Sequence, residues 1–193
     1  MDITYSPSRE KALNLLRENL KNNNLIKHCL AVESAMKDLA EYFGLSEKEK
    51  GKWGICGLLH DIDYEKTKDR PEDHSKIGAE MLEKLGFDKE ICQAVFTHNE
   101  IHGVEPESLM AKALYCLDPL TGLIIASTLV LPSKKIDDLK TENVLRRFKE
   151  KAFARGAKRE IIAKCQEYLN LPLEEFIEIT LKAMQKISDD LGL

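Results

Sequence analysis

Residues 109–131 read LMAKALYCLDPLTGLIIASTLVL, an apolar tract whose only charges are Lys112 and Asp118. A membrane span needs about 20 residues almost free of charge. Lys112, Asp118, Pro119 and Gly122 interrupt this tract, so it is read as the core helix of a folded domain. Such a helix must be covered by amphipathic partners on nearly every side. Asp118 adds a second constraint, because a carboxylate within an apolar core must be neutral, strongly hydrogen-bonded, paired or bound to a metal.

The rest of the chain supplies those partners as helices. Pro7, Ser8 and Arg9 open a stretch in which Leu13, Leu16 and Leu20 recur at intervals of 3 and 4. Leu25, His28, Val32, Ala35, Leu39 and Phe43 then step along one face to Gly44, which points His28 inward. Ser46 and Glu49 resemble a capping box for a helix ending at His60, Asp61 and Ile62. A helix carrying Ile77, Met81 and Leu82 stops at Gly86, and Asp88 starts another that ends at His98. The segment HNEIHGVEPES reads as a loop. Amphipathic helices are predicted at 141–154, 157–169 and 172–191.

No strand-like alternation, internal repeat or linker is evident. The fold class expected is therefore all-α, one helical bundle over 1–193, with a core at about 25–131 and C-terminal helices 133–193 packed on it. Hydrophobic residues make up 43% of the chain and charged residues 32%, enough apolar material for one sizeable core. The net charge of −4 gives no general attraction to nucleic acid or to a membrane surface, and neither partner is indicated. The first residues, MDITYSPSREKAL, show no basic start followed by an apolar run. Cys29, Cys56, Cys92, Cys116 and Cys165 are odd in number, widely spaced and without a C-x-x-C pair. Reduced, buried thiols in a cytoplasmic protein are the expectation.

The polar residues that carry chemistry are concentrated. All five histidines, His28, His60, His74, His98 and His102, lie between positions 28 and 102. His28, the adjacent His60 and Asp61, and Asp118 form a set of imidazole nitrogens and carboxylate oxygens suited to a divalent transition metal. Mn, Fe, Co, Ni or Zn fits that mixture, with Mg allowed. His74 and His98 supply material for a second ion.

The order His28, His60-Asp61, His74, His98, Asp118, together with the contexts GLLHDIDYEK and DHSKIGAEML, resembles the HD-domain superfamily of metal-dependent phosphohydrolases. The resemblance implies that His28, His60, Asp61 and Asp118 are the defining ligands, that Asp61 bridges two ions, and that His74 and His98 complete a binuclear centre. His60 and Asp61 would be the catalytic pair, activating water for attack on a small phosphorylated substrate, with nucleotides the first class to consider. The same ligand types also occur in mixed-valent di-iron oxygenases of this superfamily, and a non-catalytic metal or phosphate sensor is a third reading. In the HD-GYP branch, Gly and Lys stand where this chain has Asp63 and Tyr64, and no Gly-Tyr-Pro follows His98 here. A cyclic dinucleotide substrate is therefore not assigned. Asp63 and Tyr64 are read instead as residues that orient ligands or substrate.

Two further features lie outside the resemblance. Glu100 and His102, in the loop after His98, are read as surface groups, with proton donation or ligand support as alternatives. Between Lys134 and Arg159, ten Lys or Arg stand against four Asp or Glu. Within that stretch Arg147, Lys151 and Arg155 recur every four residues, a predicted helix face that is either simply solvated or able to hold substrate phosphate.

Overall fold

The computed structural model describes residues 8–193, so Pro7 lies outside the described residues. The regular elements are all helices, as the sequence periodicity requires. In chain order they are α1 (Arg9–Asn19), α2 (Asn23–Tyr42), α3 (Glu47–Leu59), α4 (Tyr64–Thr67), α5 (Lys76–Lys84), α6 (Lys89–Thr97) and α7 (Leu109–Leu129). The C-terminal part adds α8 (Thr141–Lys149), α9 (Arg159–Ala163), α10 (Cys165–Leu169), α11 (Leu173–Gln185) and α12 (Ser188–Leu191).

The apolar tract forms α7, started by the Ser108 hydroxyl on the Ala111 amide. It is long and apolar enough to cross a membrane by length and composition, but 61% of its most apolar window is buried inside the protein. Helices α2, α6, α8, α9, α10 and α11 all pack on it. Met110, Leu114, Leu117, Leu120, Leu123 and Ile124 are fully buried and make α7 the axis of the core. All five cysteines are buried and unpaired.

Helices α2 and α3 meet at the position that matters most for the site. A side-chain carbon added at Gly57 would sit 2.8 Å from the Val32 carbonyl oxygen, so only glycine lets the two backbones approach this closely. His28 lies one turn before Val32, and His60 about one turn after Gly57. The crossing brings their Nε2 atoms to 3.2 Å. On the far side of α2, Arg9 of α1 grips the buried Glu33 carboxylate with two hydrogen bonds, at 2.5 and 2.9 Å.

The C-terminal region departs from the expected helices. The helix predicted over 141–154 stops at Lys149, and residues 150–156 form turns. The cause is tertiary: the Arg159 guanidinium donates to the carbonyls of Arg147 and Phe148, which helix continuation would have used, and also to those of Phe153, Ala154 and Ala157. The helix expected over 157–169 is divided at Lys164 into α9 and α10, and the last helix is broken between Gln185 and Ser188.

Gly57→Ala is expected to destabilise the fold by about 1–3 kcal/mol through overpacking at the crossing. Gly51→Ala, on the same helix but with open space around it, is expected to stabilise by up to about 1 kcal/mol. Equal effects of the two changes in urea denaturation would contradict the close-approach argument.

Candidate metal centre

Six side chains converge beside the middle of α7. His28 comes from α2, His60 caps α3, and Asp61 follows it in the turn before α4. His74 precedes α5, His98 caps α6 and Asp118 projects from the middle of α7. The ligating atoms of His28, His60 and Asp118 lie within 4.8 Å of one another, and so do those of His60, Asp61 and His98. His74 joins the second group, its Nε2 lying 3.3 Å from Asp61 Oδ1.

Asp61 stands between the groups and divides its oxygens. Oδ2 faces His28 at 3.6 Å, whereas Oδ1 faces His60 at 3.5 Å, His74 at 3.3 Å and His98 at 3.5 Å. Asp118 Oδ1 lies 2.9 Å from His28 and 3.6 Å from His60. The Asp118 side chain is 29% exposed, which corrects the expectation of a core carboxylate. Pro119, Gly122 and Asp118 together turn one side of α7 toward a cavity, so the apolar tract carries a polar window.

The hydrogen bonds outside this cluster fix what each imidazole presents to it. His60 Nδ1 donates to the Gly57 carbonyl at 2.8 Å, and His98 Nδ1 to the Val95 carbonyl at 2.6 Å. His74 Nδ1 donates to the Asp63 carboxylate at 2.9 Å, whose other oxygen accepts the Gly78 amide at 2.7 Å. The Thr121 hydroxyl donates to the Asp118 carbonyl at 2.9 Å, which leaves its oxygen to accept His28 Nδ1 at 3.1 Å. Each ring thus spends its Nδ1 proton outward, and a neutral ring then turns an Nε2 lone pair inward. His98 Nε2 is buried with no hydrogen-bond partner. Four inward lone pairs and two carboxylates form a donor set that fits divalent cations.

The electrostatics agree with that fit. Burial disfavours charge on His60, but Asp61 and Asp118 outweigh it and hold the imidazole up at about 9. His74 stands at about 10, its burial outweighed by Asp61 and Asp63. Burial pushes both carboxyls up, yet the facing imidazoles hold Asp61 and Asp118 below the usual carboxylate range. Without a cation, protons on His60 and His74 offset the carboxylate charge.

A further layer ties the His74 loop to the turn after His98. Asn99 Nδ2 donates to the Pro71 and His74 carbonyls at 2.9 and 3.1 Å. The His102 Nε2 proton is shared between the His74 carbonyl, at 2.9 Å, and the Ser75 hydroxyl oxygen, at 3.0 Å. Ser75 in turn donates to the Phe96 carbonyl at 2.9 Å and holds a left-handed φ of 67°. His102 also stacks on Phe96, so it is not the free surface group its loop position suggested. Tyr64 packs edge-on against His74, with ring centroids 5.2 Å apart.

The centre opens into a cavity of about 520 Å³. Arg155 lines it, together with Lys158, whose place there no local sequence pattern announces. Arg147 and Lys151 do not line it. Arg147 is paired with Glu150 at 2.7 Å and lies over Phe153, and with α8 ending at Lys149 the three cations do not share a helix face. Glu100 reaches the cavity and pairs with Lys158.

The HD domain family matches residues 25–127, more than half of the chain, and the chain belongs to that family. Ribonuclease Y of Oleidesulfovibrio alaskensis is 33% identical over 101 residues, covering 52% of this chain and 18% of that protein. An uncharacterized protein of Methanocaldococcus jannaschii is 38% identical over 95 residues, covering 46% of this chain and 52% of its own length. Ribonuclease Y of Thermotoga maritima is 29% identical over 141 residues, covering 72% of this chain and 27% of that protein. The chain therefore spans about half or less of these curated relatives. No solved structure matches it.

Removing Asn99 tests the outer layer. Asn99→Ala is expected to weaken manganese binding at the Asp61, His74 and His98 group by about 10–100-fold, while the group on His28 and Asp118 keeps its ion. Manganese titration of the folded variant measures this, and two ions bound as tightly as in the unaltered protein would contradict it.

Proposed function

We propose that the protein is a metal-dependent phosphohydrolase acting on a small phosphorylated substrate, with a nucleotide or related phosphate ester the class favoured. The observation that carries this reading is the inward set of four Nε2 atoms around the two Asp61 oxygens, opening into a cavity of ligand size. Divalent ions held there lower the pKa of water and offset charge on a phosphoryl oxygen. His28, His60 and Asp118 would hold one ion, and His74 and His98 the other. Asp61 would reach both, with Oδ2 toward His28 and Oδ1 toward His60, His74 and His98.

The cavity lining includes no serine, threonine or cysteine among the described residues. A hydroxyl or thiol nucleophile of those types is therefore lacking, which favours water as the attacking group. Asp63 holds the His74 ring from behind through Nδ1. Tyr64, 40% exposed at the cavity, offers a flat ring to the body of a substrate. Arg155 is the member of the expected basic stripe that stays in the substrate-binding role. Arg147 and Lys151 are left out, since neither lines the cavity.

A second substrate reading rests on the relatives named Ribonuclease Y, which bring RNA into question for a chain whose net charge indicated no nucleic acid. A phosphate-release panel of nucleotides, run beside cleavage of a short single-stranded RNA, separates the two. The expected outcome is release from nucleotides in the presence of manganese or cobalt, without oxygen uptake. Oxygen consumption by the iron-loaded protein would support the oxygenase reading instead. Asp61→Ala is expected to lower turnover by at least about a thousandfold while helicity is retained, as removal of the residue shared by both ions requires. Normal turnover by that variant would rule out the proposed centre.

A further inference from the structure

The part of the cavity lining contributed by residues 154–158 is built with unusual care for a segment without regular structure. Residues 150–156 are turns, with Ala154 at a left-handed φ of 44°. They are organised around a single side chain. Arg159 directs its guanidinium at five backbone carbonyls, with distances of 2.5 Å to Ala157, 2.6 Å to Phe153, 2.7 Å to Ala154, 3.3 Å to Arg147 and 3.4 Å to Phe148. The planar fork of arginine fits this task, whereas the three donors of a lysine ammonium could not satisfy five acceptors. The segment so held presents Arg155 and Lys158 to the cavity.

These two cations differ in their partners. Arg155 is exposed and has no ion pair or hydrogen bond among the described residues. Lys158 is paired with Glu100, which comes from the turn directly after His98. The same cavity is also lined by the apolar Ile101, Pro119, Ala157 and Ile161 and by the Tyr115 ring. A ligand filling the cavity therefore meets both the His/Asp cluster and these two cations, with apolar side chains among them.

The geometry points to a second phosphate site on Arg155 and Lys158, in the cavity they share with the His/Asp cluster, and to a substrate carrying a second phosphate group besides the one at the centre. This inference rests on the phosphohydrolase reading for the first phosphate and adds the second. Guanidinium and ammonium donors suit a phosphate dianion, and Glu100 occupies Lys158 until a phosphate takes its place. Arg159 is a positioning residue here, acting through the segment it holds.

Hydrolysis-resistant probes isolate binding from turnover. The experiment is isothermal titration of the manganese-loaded full chain with α,ω-alkylene bisphosphonates of increasing spacer length, each compared with an alkyl monophosphonate of matched length. At one spacer length the bisphosphonate is expected to bind at least about tenfold tighter than its monophosphonate, the gain of one well-placed charge-assisted contact. Arg155→Gln combined with Lys158→Gln is expected to remove that advantage, and both residues are exposed enough for the fold to survive. Arg159→Lys is expected to reduce the advantage without altering any group that touches the probe, and Glu100→Gln to increase it. No advantage at any spacer length, or an advantage that survives the double substitution, would overturn the second site while leaving the phosphohydrolase reading intact. Failure of every phosphonate to bind would remove that reading as well.

Discussion

Asp61 has two carboxylate oxygens, and the site is arranged around their division. Oδ2 faces His28, and Oδ1 faces His60, His74 and His98. This arrangement holds only because every imidazole is anchored from behind through Nδ1 by a carbonyl, a carboxylate or a hydroxyl. Those anchors determine which nitrogen faces inward, and four inward lone pairs beside two carboxylates are a poor arrangement for anything but cations. The glycine crossing of α2 and α3 serves the same end. It sets two helices close enough for His28 and His60 to meet, which bulkier residues at Gly57 would prevent.

The scaffold separates rigid from conditional parts. His28, His60 and Asp118 sit on or at the ends of long helices packed on one core. His74 stands in a turn and depends on Asp63 for its ring, and on Asn99, His102 and Ser75 for its backbone. The cationic part of the cavity lining is likewise a turn segment, held by one guanidinium. The basic excess near the C-terminus thus has a specific consequence: Arg155 and Lys158 line the cavity at the centre, while Arg147 is tied up in its own ion pair.

Much of this was legible in the sequence. Helical periodicity gave the all-α class and inward His28, and the interrupted apolar tract gave α7 as the core helix. The six converging residues were readable from the resemblance of their order to the HD-domain pattern, and local signals placed the helix ends at His60 and His98. What stayed hidden depends on contacts distant in the chain. Arg159 ends α8 by taking the carbonyls of Arg147 and Phe148, and no local pattern announces it. His102 is structural because Ser75 and the His74 carbonyl come to it from 27 and 28 residues away. Lys158 gains its place from the fold of a turn, and Asp118 gains solvent because α7 opens on one side.

If this donor set is built for cations, divalent ions should settle on both sides of Asp61. Anomalous diffraction from crystals of the protein grown with manganese tests it most directly. Two anomalous peaks are expected, one bounded by His28, His60 and Asp118, the other by His74 and His98, each beside the Asp61 carboxylate. An absence of peaks among these residues, with the imidazoles still turned to the carboxylates, would contradict it.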